Sequence, residues 1–202
     1  MKRLIVGITG ASGSVYAKRL IECLLGSGHQ VHLVMTDAGI EVANYELGWT
    51  LTGDLETDRP FLAGVFGGDD RLTVYSNRQI GATLASGSFR TDGMIIIPAS
   101  MGAVSGIACG RSDNLLERTA DVVLKERRPL ILMPRETPLS PIHLENLLKL
   151  SRLGVDIIPA MPAFYNRPRT IDDMVDFLVG RVLDHLNIEH ELFERWKGES
   201  AL

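Results

Sequence analysis

The chain has 202 residues, of which 45% are hydrophobic, and this is enough apolar material for one sizeable core. A net charge of -4 with scattered basic residues argues against a nucleic-acid partner. No apolar stretch reaches the roughly 20 residues of a membrane span, and the N-terminus does not resemble a signal peptide, so we expect a cytoplasmic, single-domain protein over residues 1–202 with no membrane partner.

A glycine-rich turn follows the first apolar run, Leu4 to Ile8, and reads Thr9-Gly10-Ala11-Ser12-Gly13. Glycines let a backbone approach an anion closely, and the Ser12 hydroxyl would lie beside the N–H groups of a helix that starts near Ser14. The pattern matches neither G-x-G-x-x-G nor a P-loop. It therefore predicts a phosphate-holding turn, with a tight turn that binds no ligand as the alternative.

Buried strands and amphipathic helices alternate along the chain. Strand-like runs lie at Leu4 to Ile8, Gln30 to Met35, Gly93 to Pro98, Pro129 to Met133 and Val155 to Pro159. Helical patterns lie at Val15 to Leu25, Asp113 to Arg127, Ile142 to Leu153 and Ile171 to Leu186. This alternation predicts an α/β fold, a Rossmann-like or flavodoxin-like three-layer sandwich with a mostly parallel sheet. The least periodic segment, Trp49 to Arg78, is predicted to be a loop-bearing insertion with one short strand at Leu72 to Tyr75.

Three of the later strands run into a proline, at Pro98, Pro134 and Pro159, and each proline is predicted to stop its strand. Because parallel strands bring their carboxyl ends to one edge of a sheet, the residues after them should line one crevice. We expect this crevice to collect the Ser12 turn, Thr36, Ser100 and the Arg135-Glu136 pair.

Polar residues at these positions have ordinary structural explanations as well. Ser100 could simply cap a helix, and Arg135 with Glu136 could form a surface ion pair. Arg118, Asp121 and Lys125 follow helical spacing and are typical of a solvated, salt-bridged face. The pattern alone does not distinguish Glu46. Tyr165, Arg181 and Trp196 could serve a pocket or pack for stability.

Cysteine and histidine spacing indicates no metal centre. Cys23 and Cys109 form no C-x-x-C pattern, so free thiols are expected. The five histidines show no zinc-binding spacing, and no G-x-S-x-G elbow is present.

Several long strings together resemble the UbiX-type flavin prenyltransferases. They are Thr9 to Gly13, Ala85 to Ser88, Asp113 to Val122, Leu124 to Leu130, Pro134 to Leu139 and Pro162 to Tyr165. The resemblance covers nearly the whole chain. It implies an enzyme that takes a dimethylallyl group from dimethylallyl phosphate and joins it to N5 and C6 of reduced FMN. The prenylated FMN would serve a UbiD-type decarboxylase.

The resemblance also implies roles for individual residues. It implies a metal-independent homo-oligomer, typically a dodecamer, with sites at subunit interfaces, where the tail of about residues 187–202 would pack. The FMN contacts it implies are Gly10, Ala11, Ser12, Thr36, Ser100, Met101, Gly102, Ala103 and Arg135. The residues it implies for prenyl-phosphate binding are Arg118, Lys125, Tyr165, Arg181 and Trp196, and those for catalysis are Ser12, Glu46, Lys125 and Glu136.

These residue types are consistent with the chemistry of prenyl transfer. A departing phosphate needs cationic donors, such as Lys125 and Arg181, and the allylic cation needs walls that exclude water. Loss of the C6 proton needs an acceptor, for which Glu136 is the candidate, with Ser12 as a relay. Two alternatives stay open: an FMN-dependent cysteine-type decarboxylase, and a non-catalytic flavin-binding or delivery protein. The decarboxylases use a histidine after the second strand, and Thr36 to Arg78 contains none.

Overall fold

The computed structural model describes residues 1–195, which divide into two compact units, residues 1–160 and the residues from 161 onward. The first unit holds six strands: β1 (Arg3–Ile8), β2 (Gln30–Met35), β3 (Leu72–Ser76), β4 (Gly93–Ala99), β5 (Leu130–Pro134) and β6 (Asp156–Ile157). Its helices are α1 (Ser14–Gly26), α2 (Asp37–Leu47), α3 (Leu55–Val65), α4 (Met101–Ala108), α5 (Leu115–Lys125) and α6 (Pro141–Arg152), with a 3-10 turn at Thr83–Ala85.

The strands form one sheet in the order β3-β2-β1-β4-β5-β6, and every neighbouring pair is parallel. This order is that of a doubly wound Rossmann sheet, so the predicted fold class is confirmed. The chain moves from β1 toward β3 and from β4 toward β6. The order therefore reverses between β1 and β4, which is where open α/β sheets bind their ligands.

Both faces of the sheet are covered. Ile5, Met94, Ile96 and Leu132 lie in one apolar cluster with buried residues of α4, α5 and α6. The alternate residues of the same strands, such as Val6, are fully buried as well and face the other side. Helix α1 contacts β1, β2 and β4 and buries an apolar stripe, so it covers that second face.

The segment Trp49 to Arg78 contains a helix that the sequence analysis did not predict. Asp54 caps the start of α3 by accepting a hydrogen bond from the Glu56 amide. Asp58 is buried and accepts from the Thr52 and Gly53 amides, which satisfies its carboxylate. The prediction of a loop-bearing insertion was wrong here, because Pro60 and the acidic residues interrupt the pattern by which a short helix is recognised. The strand within it was predicted correctly.

Two of the three prolines do not end their strands as predicted. Pro98 lies inside β4, at an irregularity in its pairing with β5, and the strand continues to Ala99. Pro134 is the last residue of β5, whereas β6 ends at Ile157, two residues before Pro159.

The second unit contains helix α7 (Ile171–His185). Thr170 and Asp173 form a capping box at its start. After the helix, the chain returns over Gly180, where an added Cβ would lie within 2.8 Å of atoms of Phe193 and His190. Near its end, Asp184 pairs with Arg195 at 2.6 Å and contacts His190 at 3.2 Å, and these partners outweigh partial burial and hold the pKa of Asp184 below its usual value.

Candidate active site

Thr9 connects the ends of β1 and β4 at the point where the strand order reverses. Its hydroxyl donates to the Pro98 carbonyl at 2.7 Å and accepts from the Ser100 amide at 2.7 Å. The residue is buried, so both bonds form away from water. They fix the turn after β1 against the start of α4.

A cavity of about 320 Å³ opens beside this junction. Among the predicted flavin contacts, Gly10, Thr36, Ser100 and Ala103 line it. Thr36 and Ser100 are also the N-caps of α2 and α4, because their hydroxyls accept from the amides of Gly39 and Ala103. Two helix N-termini therefore border one cavity, an arrangement that favours a bound anion. Its other lining residues are Ala38, Asn77, Arg111, Asn114, Leu116 and Glu117.

The two glycines of the first turn serve different purposes. Gly13 has a φ of 114°, a conformation that side chains with a Cβ rarely adopt. A Cβ on Gly10 would lie 2.6 Å from the Ala38 Cβ, so the absence of a side chain there lets α2 approach the turn. The close approach at Gly10 therefore involves the protein itself, in addition to any ligand in the cavity.

In this structure the turn binds the carboxylate of Glu46. Glu46 accepts from the amides of Gly13, at 2.9 Å, and Ser14, at 2.8 Å. Partial burial acts to raise the pKa of Glu46, but hydrogen bonds from Ser12, Gly13 and Ser14 outweigh it and hold the pKa below its usual value. A carboxylate from α2 thus lies at the N-terminus of α1.

Arg135 follows β5 and reaches the same turn. Its Nε donates to the Ser12 carbonyl at 3.4 Å, so these two predicted residues lie together at the carboxyl edge of the sheet. The neighbouring Glu136 accepts from the Thr137 amide at 3.1 Å. Within residues 1–195, Arg135 and Glu136 form no ion pair with each other.

Four further predicted flavin contacts do not line the cavity in the described chain. Ala11 and Met101 are buried, and Ser12 is exposed. Gly102 lies in the first turn of α4, where an added Cβ would meet only the Ser100 hydroxyl, at 4.0 Å. The backbone surface there is open, and a flat ring could lie against it.

Arg118 makes the salt bridge with Asp121 that the helical spacing indicates, whereas Lys125 pairs with its sequence neighbour. Arg118 pairs with Asp121 at 3.1 Å, and Lys125 pairs with Glu126 at 3.3 Å. Helix α5 starts after Asn114, which lines the cavity, and Lys125 is its last residue. Ten residue steps at 1.5 Å each separate the first and last residues of α5 by about 15 Å. The structure therefore does not bring Lys125 to the cavity of its own chain.

Tyr165 and Arg181 belong to the second unit. The Tyr165 ring packs edge-on against Phe177 with centroids 5.8 Å apart, and Arg181 pairs with Asp184 at 3.1 Å. Trp196, the remaining predicted residue, lies outside the described residues.

Sequence reasoning missed the polar wall formed by Asn77, Arg111 and Glu117. Asn77 directly follows β3 and so belongs to the same sheet edge as Thr36 and Ser100. That position was available as a signal, but the segment was interpreted as an insertion. The pairing of Arg111 with Glu117, at 2.6 Å, depends on a loop whose shape the sequence does not reveal.

The described residues hold no group of three or more His, Cys, Asp or Glu side chains that could bind a metal ion. Cys23 and Cys109 form no disulfide bond within residues 1–195. Within the same residues, no helix is long and apolar enough to cross a membrane.

Comparison with known proteins agrees with this geometry. Residues 1–183 match the family described as Flavoprotein. The flavin prenyltransferase UbiX of Halalkalibacterium halodurans is 55% identical over 196 residues, which cover 96% of this chain and 93% of that protein. The fold and the sequence thus define a flavoprotein.

Two solved structures are similar over nearly their full length. One is AnUbiX (PadA1) in complex with FMN and dimethylallyl pyrophosphate, with a TM-score of 0.87, 38% identity and 98% of each chain covered. The other is a dodecameric FMN-dependent UbiX-like decarboxylase from Escherichia coli O157:H7, with a TM-score of 0.86, 45% identity, and 97% of this chain and 100% of that chain covered. The chain belongs to the UbiX family of flavin prenyltransferases.

Proposed function

We propose that the protein is a metal-independent flavin prenyltransferase that joins a dimethylallyl group to N5 and C6 of reduced FMN. The observation that carries the proposal is the cavity at the β1/β4 junction, where Gly10, Thr36, Ser100 and Ala103 meet beside two helix N-termini. Reduced FMN supplies the nucleophilic ring atoms. The donor is dimethylallyl phosphate.

The flavin would be held by the turn after β1 and by the first turn of α4. Thr36, Ser100 and the backbone amides near them offer hydrogen bonds to polar groups, and the open surface at Gly102 accepts a flat ring. Ala11, Ser12, Met101, Ala103 and Arg135 complete the proposed contacts. Arg135 reaches the Ser12 carbonyl, which supports a contact between Arg135 and the edge of the flavin ring.

The prenyl phosphate would be bound by cations and a phenol. Lys125, Arg118, Arg181 and Tyr165 are the proposed donors to the departing phosphate, and Trp196 is the proposed apolar wall. Lys125 is the charged residue nearest the end of α5, where its pairing with exposed Glu126 leaves its ammonium open to a second anion.

Two carboxylates have proposed catalytic roles. Glu136 is the acceptor for the proton lost from C6, with Ser12 as a relay. Glu46 holds the Ser12 turn in place through the Gly13 and Ser14 amides and stays ionised because its pKa is low.

The site would be completed between copies of the chain. Lys125 is about 15 Å along α5 from the cavity, so a second copy must bring its own Lys125 to the flavin. A dodecameric relative supports a closed homo-oligomer of the same kind. We also propose that residues 1–202 form one flavoprotein domain and that the tail of about 187–202 packs at a subunit interface.

Prenylated FMN made here would pass to a UbiD-type decarboxylase, and the location proposed for this protein is cytoplasmic. The cysteine-type decarboxylase is disfavoured because Thr36 to Arg78, where such enzymes carry a histidine, holds none. A flavin-delivery protein would bind the same cavity without changing the flavin.

One anaerobic experiment distinguishes the three functions. The protein is mixed with reduced FMN and either dimethylallyl phosphate or dimethylallyl pyrophosphate, and the flavin is followed by mass and absorbance. A flavin heavier by one dimethylallyl unit supports the proposal. Unchanged flavin that stays bound indicates delivery, and release of CO2 from a cysteinyl peptide in a parallel reaction with oxidised FMN indicates a decarboxylase.

A further inference from the structure

The carboxylate of Asp184, near the end of α7, binds three side chains at once. Its Oδ2 accepts from Arg181 Nη1 at 3.1 Å and from Arg195 Nη1 at 3.3 Å. Its Oδ1 accepts from Arg195 Nη2 at 2.6 Å and lies 3.2 Å from His190 Nε2. The Asp184 side chain is only 17% exposed. Two guanidinium groups therefore share one largely buried carboxylate.

His190 adds a hydrogen bond to this cluster and no charge. Its Nδ1 accepts from the Leu192 amide at 3.2 Å, and this bond assigns the ring hydrogen to Nε2. The Nε2 hydrogen is then the one that donates to Asp184, and the ring is neutral. The cluster thus holds two positive charges against one negative charge, and the excess is available to an anion.

The Asp184 carboxylate is held in place without Arg181. Three of its four contacts come from His190 and Arg195, which lie in the segment after α7. A Cβ at Gly180 would lie 2.7 Å from His190 Cε1, so this segment packs directly on the helix. The carboxylate is therefore a fixed acceptor, and Arg181 is the partner that it orients.

Arg181 is held at one amino group and open at its other nitrogens. Its side chain is 45% exposed, and its Nε and Nη2 make no hydrogen bond to residues 1–195. Ion pairs on a helix surface usually have little effect, as we expect for Arg118 and Asp121, which are both 37% exposed. Asp184 differs because it is largely buried and anchored by other groups. A guanidinium held in this way loses less side-chain freedom when it binds an anion.

We infer that Asp184 is a positioning residue for prenyl transfer, and that it orients Arg181 toward the phosphate of the prenyl donor. The inference rests on the proposed function, in which Arg181 binds that phosphate. Asp184 itself would not touch the donor, because a carboxylate repels an anion and both of its oxygens are already bonded. Its effect on donor binding therefore passes through Arg181.

Asp184→Asn keeps the size of the side chain and removes its charge. The dissociation constant of dimethylallyl phosphate should rise about tenfold, because the charge-assisted bond that holds Arg181 is weakened. Calorimetry on protein that holds oxidised FMN measures this constant without turnover. FMN affinity should stay the same within the error of the measurement. Asp172→Asn, at the exposed start of the same helix, removes the same charge and is the matched control.

The same change in an Arg181→Ala background is the decisive measurement. If Asp184 acts through Arg181, Asp184→Asn has no further effect on donor affinity once Arg181 is absent. A role confined to stability predicts the same loss in both backgrounds. Arg181→Ala leaves the carboxylate bound to His190 and Arg195, so it creates no unpaired charge.

A second variant covers the case in which Asp184→Asn is too unstable for calorimetry, as its thermal midpoint would show. Asp184→Glu keeps the charge that pairs with Arg195 and displaces the carboxylate by one methylene group. It should also weaken donor binding, and only where Arg181 is present.

Coupling between positions 181 and 184 supports the inference. Equal losses with and without Arg181, or an unchanged donor affinity in both variants of Asp184, would overturn it. The proposed function survives that result if the original protein still forms prenylated FMN. If the original protein neither binds dimethylallyl phosphate nor forms prenylated FMN, the inference and the proposed function fail together.

Discussion

Thr9 and Ser100 are joined by a hydrogen bond of 2.7 Å between the Ser100 amide and the Thr9 hydroxyl, across the point where the strand order reverses. The same hydroxyl donates to Pro98, so one side chain satisfies polar groups of both strand ends. The position of the helix cap Ser100, and with it one wall of the cavity, depends on a buried residue that does not itself line the cavity.

Replacement of Thr9 should therefore destabilise the protein through its hydroxyl. Thr9→Val keeps the shape and leaves the partly buried Ser100 amide without its partner, which should cost about 2 kcal/mol of unfolding free energy. Thr9→Ser keeps the hydroxyl and should cost less than half as much. Urea unfolding of the two variants measures the difference, and equal losses would show that the methyl group and its packing dominate.

Glu46 should contribute to stability only where it is ionised. Glu46→Gln weakens the hydrogen bonds at the start of α1 and should lower the unfolding free energy by about 1 kcal/mol at pH 7. Because the folded pKa lies below the unfolded one, the contribution is complete above the unfolded pKa and disappears as the pH falls through the folded pKa. Glu41→Gln, on the same helix, is the control and should change little at any pH.

His32 should make the protein sensitive to mild acid. Burial, followed by the charge of Arg3, lowers the pKa of His32 to about 4. Its Nδ1 contacts the Tyr75 hydroxyl at 3.0 Å, and its Nε2 is buried without a partner in the described chain. The imidazole is thus held neutral in the folded protein.

The sign of the effect follows from the lowered pKa. Between pH 6.5 and about 4 the unfolded chain binds a proton that the folded protein does not, so stability falls as the pH is lowered. The full loss is about 3 kcal/mol. His32→Asn should flatten this part of the profile of unfolding free energy against pH, and an unchanged slope between pH 7 and 4 would contradict the assignment.

Lys125→Ala should slow turnover by about a hundredfold at saturating dimethylallyl phosphate, since removal of one donor to a developing anion has that effect. FMN affinity should stay the same, because Lys125 is proposed to bind the departing phosphate of the prenyl donor and not FMN. Lys149→Ala, in the last turn of α6, is the matched control. Turnover at the original rate in Lys125→Ala would remove this residue from the proposed site.

Glu136→Gln should separate two events of the reaction. The amide cannot accept the C6 proton, so formation of the final product should slow by about a hundredfold. Phosphate release in the first turnover should remain fast, because departure of the leaving group needs no base at C6. Rapid quench with separate detection of phosphate and product measures both, and loss of the phosphate burst would point to a role in binding. Glu145→Gln is the control.

The sequence predicted local features well where the residue pattern within one helix or strand is enough to determine its structure. Gln30–Met35 was predicted as a strand with the bounds that the structure shows. Its own apolar residues are enough to identify it as a strand, without knowledge of the residues that pack against it. Helix α3 was missed because Pro60 breaks the pattern that a helix normally shows. Glu46 could be named only through resemblance, since its bonds to Gly13 and Ser14 join residues more than 30 positions apart. Asn77 was missed because its segment was interpreted as an insertion, and Arg111 was missed because its pairing with Glu117 depends on the shape of a loop.

The length of α5 has a consequence for the assembly as a whole. One end of the helix borders the cavity proposed to bind the flavin, and the other end presents Lys125 outward about 15 Å away. Each copy would then give a cation to one neighbour and receive one from another, which is a head-to-tail relation. An open row of such copies would always end in one incomplete site, whereas a closed ring has none. Closure of the oligomer would thus set the number of working sites equal to the number of chains.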